Sequence, residues 1–299
     1  MSTSFDVQYA ADCEDVENAL DAAIAEPRAQ AQKTVLSAMR YSLLGGGKRI
    51  RAVLALECCA MLGGRRTDAM PAACALEMVH AYSLIHDDLP CMDDDDLRRG
   101  RPACHIAYGE DMAVLAGDGL QTCAFEMLSA PQTVSLLGAE RALRLVGTIS
   151  RAIGEYGMLG GQCVDVESAG SVLTPPAHRD MVRMKTGALL RAAAVCGGIC
   201  ALADEAAIDT LSRFGEIVGE AFQITDDILD VAGDTEKLGK PVGSDEQEHK
   251  NTFVTMLGLD AARERADALY READALIAPY GEKADFLRQM LSRLAARDR

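Results

Sequence analysis

The amino-acid sequence predicts an all-α protein. Its 299 residues are 49% apolar but only 4% aromatic, and Trp is absent. Ala, Leu, Met, Glu and Arg, which favour helices, are abundant, and apolar residues recur at three- and four-residue spacings. We find no convincing alternation of apolar and polar residues of the kind that a half-buried strand requires. The chain is therefore expected to bury a large helical core, which excludes a disordered or fibrous protein.

Prolines divide the sequence into predicted helices, because they mark boundaries better than they tolerate helix interiors. The predicted helices cover residues 10–25, 29–44, 48–62, 68–89, 110–128, 135–158, 177–198, 203–232, 250–277 and 282–296. In chain order, Pro27, Pro71, Pro102, Pro131, Pro175, Pro176, Pro241 and Pro279 lie before a predicted helix or in its first turn. Helices 68–89 and 203–232 are apolar almost all round, which is typical of the centre of a bundle or of a subunit contact. No linker or low-complexity segment divides the chain, so we expect one domain over residues 1–299.

Charge and cysteine content exclude several classes of protein. Thirty Lys and Arg against 46 Asp and Glu give a net charge of −16, which repels nucleic acid. The ten cysteines show no paired spacing and follow no secretory leader, so we expect reduced thiols and a cytoplasmic location. No apolar run reaches the length of about eighteen residues that a membrane span needs. Any phosphate group must therefore be bound by local cationic side chains.

An apolar helix carries the first acidic cluster at its C-terminal end. Residues 80–96 read HAYSLIHDDLPCMDDDD, in which Asp87, Asp88 and Asp93 form an Asp-Asp-x-x-x-x-Asp pattern. Carboxylates at the negative end of a helix dipole cost about 0.3–1 kcal/mol each, so a cation is expected to compensate. An ideal helix would put Asp87 and Asp93 on different faces, but Pro90 can end the helix and bring Asp93 round. Taken alone, the cluster could also be a solvated acidic loop.

A second apolar helix carries FQITDDILD at 222–230. Asp226 and Asp230 lie one turn apart on one helix face, and Asp227 follows Asp226. Carboxylate oxygens with water suit Mg²⁺, which prefers one or two carboxylates together with substrate phosphates. Two such clusters together therefore predict a site for a metal-bound diphosphate.

Four groups of basic residues could contact that diphosphate directly. Two of them, Arg98-Arg99 and Gly239-Lys240, follow the acidic clusters in a chain of strongly negative charge. The other two are Lys185-Thr186 and the GGGKRIR segment at 45–51. That segment is not a nucleotide P-loop, because Arg49 and not Ser or Thr follows Lys48.

These motifs resemble those of the trans-isoprenyl diphosphate synthase family, and most closely those of its bacterial-type farnesyl diphosphate synthases. The resemblance runs through GGGKRIR at 45–51, HAYSLIHDDLPCMDDDDLRRGRP at 80–102, LAGDGL at 115–120, GGQCVD at 160–165, MKTGALLRAA at 184–193, FQITDDILD at 222–230, GKPVGSD at 239–245 and KNTF at 250–253. Ala52 and Val254 stand where the family usually has proline. The resemblance implies a single large bundle of about ten or more helices around a central cavity.

The resemblance also implies a reaction. An allylic diphosphate loses pyrophosphate to give a carbocation, isopentenyl diphosphate attacks that carbocation, and a proton is removed. The implied allylic substrates are dimethylallyl and then geranyl diphosphate, and the implied product is (2E,6E)-farnesyl diphosphate. Positive charge gathered on the leaving pyrophosphate stabilises the transition state.

Residue roles follow from the resemblance, position by position. Asp87, Asp93 and Asp226 would hold about three Mg²⁺ ions per active site, with Asp88, Asp227 and Asp230 as further ligands. The allylic diphosphate would contact Arg98, Lys185 and Lys240. Isopentenyl diphosphate would contact Gly47, Lys48, Arg51, His80 and Arg99. The side chains of Thr186 and Gln223 would present oxygen dipoles to the carbocation.

Product length and assembly are further expectations. Ser83 lies one turn before Asp87 and Tyr82 lies five residues before it, about 7.5 Å along the helix axis. In the family this combination of bulky and small residues goes with a fifteen-carbon limit; the alternative floors are Met78 and Met112. Alternative functions are synthesis of geranylgeranyl diphosphate, a terpene cyclase, or a noncatalytic subunit. Helix 110–128 is apolar enough to predict a homodimer, and family members pair through that region.

Overall fold

The computed structural model describes residues 3–24, 31–232 and 251–297, and these residues are almost entirely helical. The helices are α1 (Ser4–Ala23), α2 (Lys33–Leu43), α3 (Ile50–Met61), α4 (Arg66–Asp87), α5 (Cys104–Tyr108), α6 (Glu110–Ser129), α7 (Pro131–Leu137), α8 (Ala139–Ile153), α9 (Met158–Glu167), α10 (Pro175–Val182), α11 (Ala188–Cys200), α12 (Glu205–Ala232), α13 (Phe253–Leu257), α14 (Leu259–Ile277) and α15 (Asp285–Ala295). A π-helical turn, Arg183–Gly187, joins α10 to α11, and a 3₁₀ turn, Ala278–Ala284, joins α14 to α15. The predicted all-α class is confirmed.

The centre of the bundle is formed by the most apolar helices. Helix α4 packs against α3 and α6, and α11 packs against α3 and α12. Helix α12 also packs against α14, which closes that side of the bundle. Nearly every residue of α3 and α11 is buried. The central positions that the sequence predicts for helices 68–89 and 203–232 therefore agree with α4 and α12.

A glycine permits the close approach of α4 and α6. A Cβ atom on Gly117 would lie 2.1 Å from Nε2 of His86, well inside van der Waals contact. The same nitrogen lies 3.2 Å from the carbonyl oxygen of Val114. Gly117 thus lets the His86 ring pack directly onto the α6 backbone, one residue before the first acidic cluster.

Three of the predicted helices are interrupted. Gly138, with φ +85°, separates α7 from α8, and Gly258, with φ +83°, separates α13 from α14. The predicted helix 135–158 ends at Gly154, after which α9 begins at Met158. The predicted helix 177–198 contains the π-helical turn. At Gly138 and Gly258 the positive φ carries no steric penalty, because glycine has no Cβ. The chain therefore turns there without losing its apolar periodicity on either side.

The structure also contains a short hairpin that the sequence does not predict. Strand β1 (Leu97–Arg98) pairs antiparallel with β2 (Arg101–Pro102) just after the first acidic cluster. Two further short helices, α5 and α9, are likewise absent from the predicted elements. Among the described residues, no helix has both the length and the apolar character that crossing a membrane requires. All ten cysteines are free thiols.

Candidate active site

The first acidic cluster begins where α4 ends. The helix stops at Asp87, and the chain doubles back so that the amide of Asp93 donates to the carbonyl oxygen of Asp87 at 2.8 Å. The predicted effect of Pro90 is therefore confirmed: Asp93 returns to Asp87. Burial raises the pKa of Asp87 to about 6; the nearby charge of Lys185 opposes this shift, and that of Asp93 adds to it. Asp87 and Asp93 thus form one crowded pair of carboxylates.

Asp88 has a different environment from its neighbour. Its side chain is 2% exposed, and both carboxylate oxygens accept from Nε of Arg98, at 2.9 and 3.2 Å. Arg98 lies in β1 and also donates to Asp95 at 3.0 Å. Burial raises the pKa of Asp88, and its hydrogen bond to Arg98 opposes that shift. The hairpin therefore fixes Arg98 directly beside the first acidic cluster.

In the second cluster, hydrogen bonds connect three of the predicted site residues. Thr186 Oγ1 donates to Gln223 Oε1 at 2.9 Å, and Gln223 Nε2 donates to Asp227 Oδ1 at 2.9 Å. The other oxygen of Asp227 accepts from the backbone amide of Phe253 at 2.8 Å. Asp227 and Asp230 are both buried in α12. These bonds fix the orientation of the Gln223 amide and of the Thr186 hydroxyl oxygen.

Asp226, the first aspartate of this pair, is more accessible. A guanidinium nitrogen of Arg297 lies 3.2 Å from Asp226 Oδ1, and the Asp226 side chain is 34% exposed. The Arg297 guanidinium also lies 5.4 Å from the ring centroid of Phe222. Sequence reasoning missed Arg297, because it is seventy-one residues from Asp226 in the chain and belongs to no motif.

Lys185 lies in the π-helical turn between α10 and α11, where it forms an ion pair with Asp165 of α9. The backbone of α9 approaches closely, because a Cβ atom on Gly161 would lie 2.2 Å from the Lys185 amide nitrogen. Asp165 ends the GGQCVD motif at 160–165, but the motif alone gives it no role. The shared motif was the signal, but the Asp165–Lys185 contact was not evident from sequence spacing.

The predicted isopentenyl diphosphate residues form a cationic cluster. The guanidinium carbon of Arg99 packs on Gly47, whose φ is +131° and whose Cβ would lie 2.8 Å from that atom. Burial lowers the pKa of Arg51, and the charges of Glu77 and Asp226 oppose this shift. Burial also lowers the pKa of Lys48, where Asp226 again acts in the opposite direction. The second acidic cluster and the GGGKRIR segment therefore face the same site.

His80 is the uncharged member of this cationic cluster. Burial, followed by the positive charges of Arg51 and Arg99, holds its pKa well below 6.5. His80 is therefore neutral at pH 7, and it can donate a hydrogen bond without adding charge. The structure thus brings His80, Arg51 and Arg99 together, as the sequence predicts.

The carboxylates fit Mg²⁺ that is held jointly with a diphosphate. Among the described residues, no three His, Cys, Asp or Glu side chains converge as a ready-made metal site. Mg²⁺ needs few protein ligands when phosphate oxygens and water complete its shell, and the Asp87–Asp93 pair and Asp226 offer oxygen donors of that kind. Lys240, predicted to contact the allylic diphosphate, lies outside the described residues.

The two predicted chain-length residues lie on α4 before Asp87. Tyr82 is half-buried against the core, and its ring meets that of His86 edge-on with centroids 5.8 Å apart. Burial raises the pKa of Tyr82 to about 12, and the charge of Asp87 adds to this shift. The Ser83 hydroxyl donates to the carbonyl oxygen of His80 at 2.9 Å. Met78, the alternative floor residue, is fully buried.

Comparison with known proteins shows the family of this chain. Residues 32–280 match the polyprenyl synthetase family. The chain is 44% identical over 260 residues to the farnesyl diphosphate synthase of Bacillus subtilis. The aligned residues cover 87% of this chain and 88% of the relative.

Other similar proteins have other product names. The chain is 46% identical over 261 residues to the heterodimeric geranylgeranyl pyrophosphate synthase large subunit 1 of Arabidopsis thaliana, covering 86% of this chain and 70% of the relative. Its fold matches an apo FPP/GFPP synthase from Zymomonas mobilis with a TM-score of 0.88 and 34% identity, over 99% of this chain and 100% of that one. With the aspartate clusters and the cationic residues gathered at one site, the chain belongs to the polyprenyl synthetase family, the prenyltransferases that elongate isoprenoid diphosphates.

Proposed function

We propose that this protein condenses isopentenyl diphosphate with dimethylallyl and then geranyl diphosphate, giving (2E,6E)-farnesyl diphosphate and pyrophosphate. The observation that supports it best is electrostatic. The charge of Asp226, in the second acidic cluster, opposes the lowering by burial of the pKa values of Lys48 and Arg51. The charge of Lys185 opposes the raising by burial of the pKa of Asp87. A site with two acidic clusters and two separate sets of cations suits two diphosphates, one leaving and one retained.

The first step breaks the bond between C1 and oxygen in the allylic diphosphate. Lys185 and Arg98, with Lys240, would bind the leaving pyrophosphate, and Asp87, Asp93 and Asp226 would hold Mg²⁺ against it. Bound Mg²⁺ would neutralise charge as the leaving group departs. Asp88 and Asp227, which are buried and hydrogen-bonded to Arg98 and Gln223, would orient those residues, whether or not they and Asp230 also act as further ligands.

The second step forms the carbon–carbon bond. Lys48, Arg51, His80 and Arg99 would retain isopentenyl diphosphate, so that its terminal double bond attacks C1 of the allylic cation. The oxygen dipoles of Thr186 and Gln223 would stabilise that cation without trapping it, because neither is a strong nucleophile. The C2 proton of the former isopentenyl unit then leaves, and we infer that the released pyrophosphate accepts it.

One assay tests this function. The protein is incubated with isopentenyl and dimethylallyl diphosphates and Mg²⁺, and the dephosphorylated products are separated by chromatography. We expect farnesol as the main product and no product in excess EDTA. Mainly geranylgeraniol would support the second candidate, geranylgeranyl diphosphate synthesis, which is favoured by the names of several relatives. No prenyl product, or full activity in EDTA, would contradict the proposal.

Tyr82 is proposed to set the fifteen-carbon limit. A chain anchored by its diphosphate near Asp87 would extend along α4 towards Tyr82, a large and stiff side chain that packs against the core. Tyr82→Ala should release longer products, at least geranylgeranyl diphosphate, in the same chromatographic assay. Leu36→Ala, which removes a side chain that also packs against the core but lies on α2, serves as the control and should leave product length unchanged. An active Tyr82→Ala enzyme that still stops at fifteen carbons would contradict this assignment.

We also infer one domain over residues 1–299, a homodimer and a cytoplasmic location. Helix α6 leaves Val114 and Leu115 41% and 49% exposed, and Ile106 of the neighbouring α5 is 52% exposed. These side chains would lie in an interface of roughly 2,000 Å² or more. Light scattering at micromolar concentration tests the dimer, and a monomer there would refute it. The free state of all ten cysteines supports a reducing compartment.

A further inference from the structure

Arg49 lies between the two predicted ligands Lys48 and Arg51, but its side chain points into the protein. It is only 3% exposed, and its backbone adopts the left-handed conformation with φ +48°. A non-glycine residue rarely adopts this conformation, so surrounding contacts must hold it there. The side chain therefore has a role other than direct contact with a substrate.

The contacts of Arg49 join three helices. Its guanidinium donates to the carbonyl oxygen of Leu43 at the end of α2, at 2.6 Å. It also donates to Glu77 of α4 at 3.1 Å and to Glu17 of α1 at 2.7 Å. Charge-assisted hydrogen bonds of this kind are stronger than neutral ones, and three of them leave the Arg49 side chain little freedom.

Glu77 extends this arrangement into the site. It is 2% exposed and lies one turn before His80 on α4. Its second carboxylate oxygen accepts from the amide of Ala52 at 3.2 Å, in the first turn of α3. That turn has no capping hydrogen bond from the side chain of Arg49, the residue at its N-cap position. Glu77 therefore satisfies the start of the helix that carries Arg51.

A further contact fixes the loop between α2 and α3, residues 44–49, from its other side. The Tyr9 hydroxyl of α1 donates to the carbonyl oxygen of Lys48. The backbone of Lys48 is thereby held by α1, while the next residue is held by α2, α4 and α1. The loop that carries Lys48 and leads into α3, where Arg51 lies, is consequently fixed before any diphosphate enters.

Glu77 also balances charge. Burial lowers the pKa values of Arg51 and Arg99, and the charge of Glu77 opposes both shifts, together with Asp226 at Arg51 and Glu17 at Arg99. Without Glu77, the positive charges of Arg51 and Arg99 would repel one another with less compensation. The Arg49–Glu77 pair thus contributes both geometry and charge to the cationic part of the site.

We propose that the buried Arg49–Glu77 pair is a positioning unit that holds Lys48, Arg51 and His80 in the arrangement that binds the diphosphate of isopentenyl diphosphate. This inference rests on the proposed function. A pair that only stabilised the fold would affect both substrates alike. A positioning unit for one diphosphate should affect isopentenyl diphosphate selectively.

The experiment compares three variants with the wild type. Arg49→Met/Glu77→Leu replaces the whole pair by apolar side chains of similar size, a change that buried ion pairs often tolerate without unfolding. Arg49→Lys keeps the charge but loses the three-way geometry. Arg40→Met is the matched control, because Arg40 also joins two helices, through the carbonyl oxygens of Asp21 at 3.0 Å and Ile24 at 2.6 Å, but lies outside the loop.

Two quantities are measured for each variant: the Kd for isopentenyl diphosphate by calorimetry, and kcat with KM for both substrates. We expect the double variant to raise the Kd and KM for isopentenyl diphosphate at least about tenfold, with kcat and the allylic KM within about threefold. Arg49→Lys should raise them about threefold, and Arg40→Met should leave them within about twofold.

Unchanged binding of isopentenyl diphosphate in a folded double variant, or equal increases in both KM values, would overturn the inference. Should the double variant fail to fold, Arg49→Lys alone decides the question by the same criterion. A wild-type protein that lacks prenyl transfer would instead overturn the proposed function, and the product assay detects that failure separately.

Discussion

The two acidic clusters use their adjacent aspartates in the same way. In each pair the first aspartate, Asp87 or Asp226, is half-buried and lies among the charged groups of the site. The second, Asp88 or Asp227, is buried and hydrogen-bonded by the protein, to Arg98 in one cluster and to Gln223 and the Phe253 amide in the other. Position within the pair, and not residue type, therefore separates the more accessible aspartate, which is proposed to hold Mg²⁺, from the buried one that orients its neighbours.

The clusters differ in how the chain builds them. The first depends on local structure: α4 ends, the chain turns back, and Arg98 arrives ten residues after Asp88. The second lies inside the continuous helix α12 and takes its partners from distant parts of the chain, Phe253 and Arg297. Local sequence can thus reveal the partner of the first cluster but not those of the second.

The strongest test of this comparison removes the first aspartate of each pair. Asp87→Ala and Asp226→Ala should each lower kcat by at least about a thousandfold, because each removes a carboxylate proposed to hold Mg²⁺ against the leaving diphosphate. The fold should persist, since the change removes a crowded negative charge. Asp96→Ala, at an exposed position after the same cluster, is the control and should remain active. Near-normal turnover in Asp87→Ala would refute the metal assignment.

Removing the second aspartate should mainly affect stability. Asp227→Ala leaves the Phe253 amide and the Gln223 side chain without their acceptor, so we expect a loss of about 1–3 kcal/mol in the free energy of unfolding. Asp226→Ala should change that free energy by no more than about 0.5 kcal/mol. Urea unfolding of the metal-free proteins measures both values. Equal losses of free energy of unfolding in Asp226→Ala and Asp227→Ala would show that Asp227 has no special structural role.

The smallest expected effect is the pH dependence of stability that Asp87 causes in the metal-free protein. Its folded-state pKa is about 6, above the ordinary value of 3.8, so the folded protein holds the proton more tightly than the unfolded chain does. Stability should therefore fall as the pH rises from about 4 to about 6. Asp87→Asn should abolish about 1–2 kcal/mol of that decline, a value that allows for partial screening by solvent. Parallel stability curves for the two proteins between these pH values would contradict the prediction.

Helical periodicity predicted the fold class and the central helices but not the breaks between them. Gly138 and Gly258 interrupt stretches whose apolar spacing continues on both sides, and a glycine inside a helix costs only about 1 kcal/mol. The sequence around these glycines therefore does not distinguish a helix that contains glycine from two helices that meet at one. The hairpin at 97–102 escaped prediction because its two-residue strands are too short for any alternation to appear.

Contacts within the candidate site could be predicted best where one motif carried the information. Pro90 lies in the same motif as Asp87 and Asp93, so the return of Asp93 to Asp87 could be expected. The hydrogen bond between Thr186 and Gln223 instead joins two motifs, whose residues the resemblance assigns to the same role. The partners Asp165, Arg297 and Glu77 were missed as partners, because each contact joins residues brought together only by the tertiary fold. Long-range ion pairs leave no periodic signal in a single sequence.

The π-helical turn at Arg183–Gly187 has a consequence for insertions and deletions. A π turn contains one residue more than the α-helical turn it replaces, and each residue in a helix rotates the chain by about 100°. Deleting one residue here would make the run from α10 to α11 regular, but it would turn α10 relative to α11 by that angle. Nε2 of His178, in α10, lies 2.9 Å from the carbonyl oxygen of Asn251. Such a rotation would therefore break this contact or move Lys185 away from Asp165. The number of residues in this turn is therefore constrained, as well as the identity of the lysine it carries.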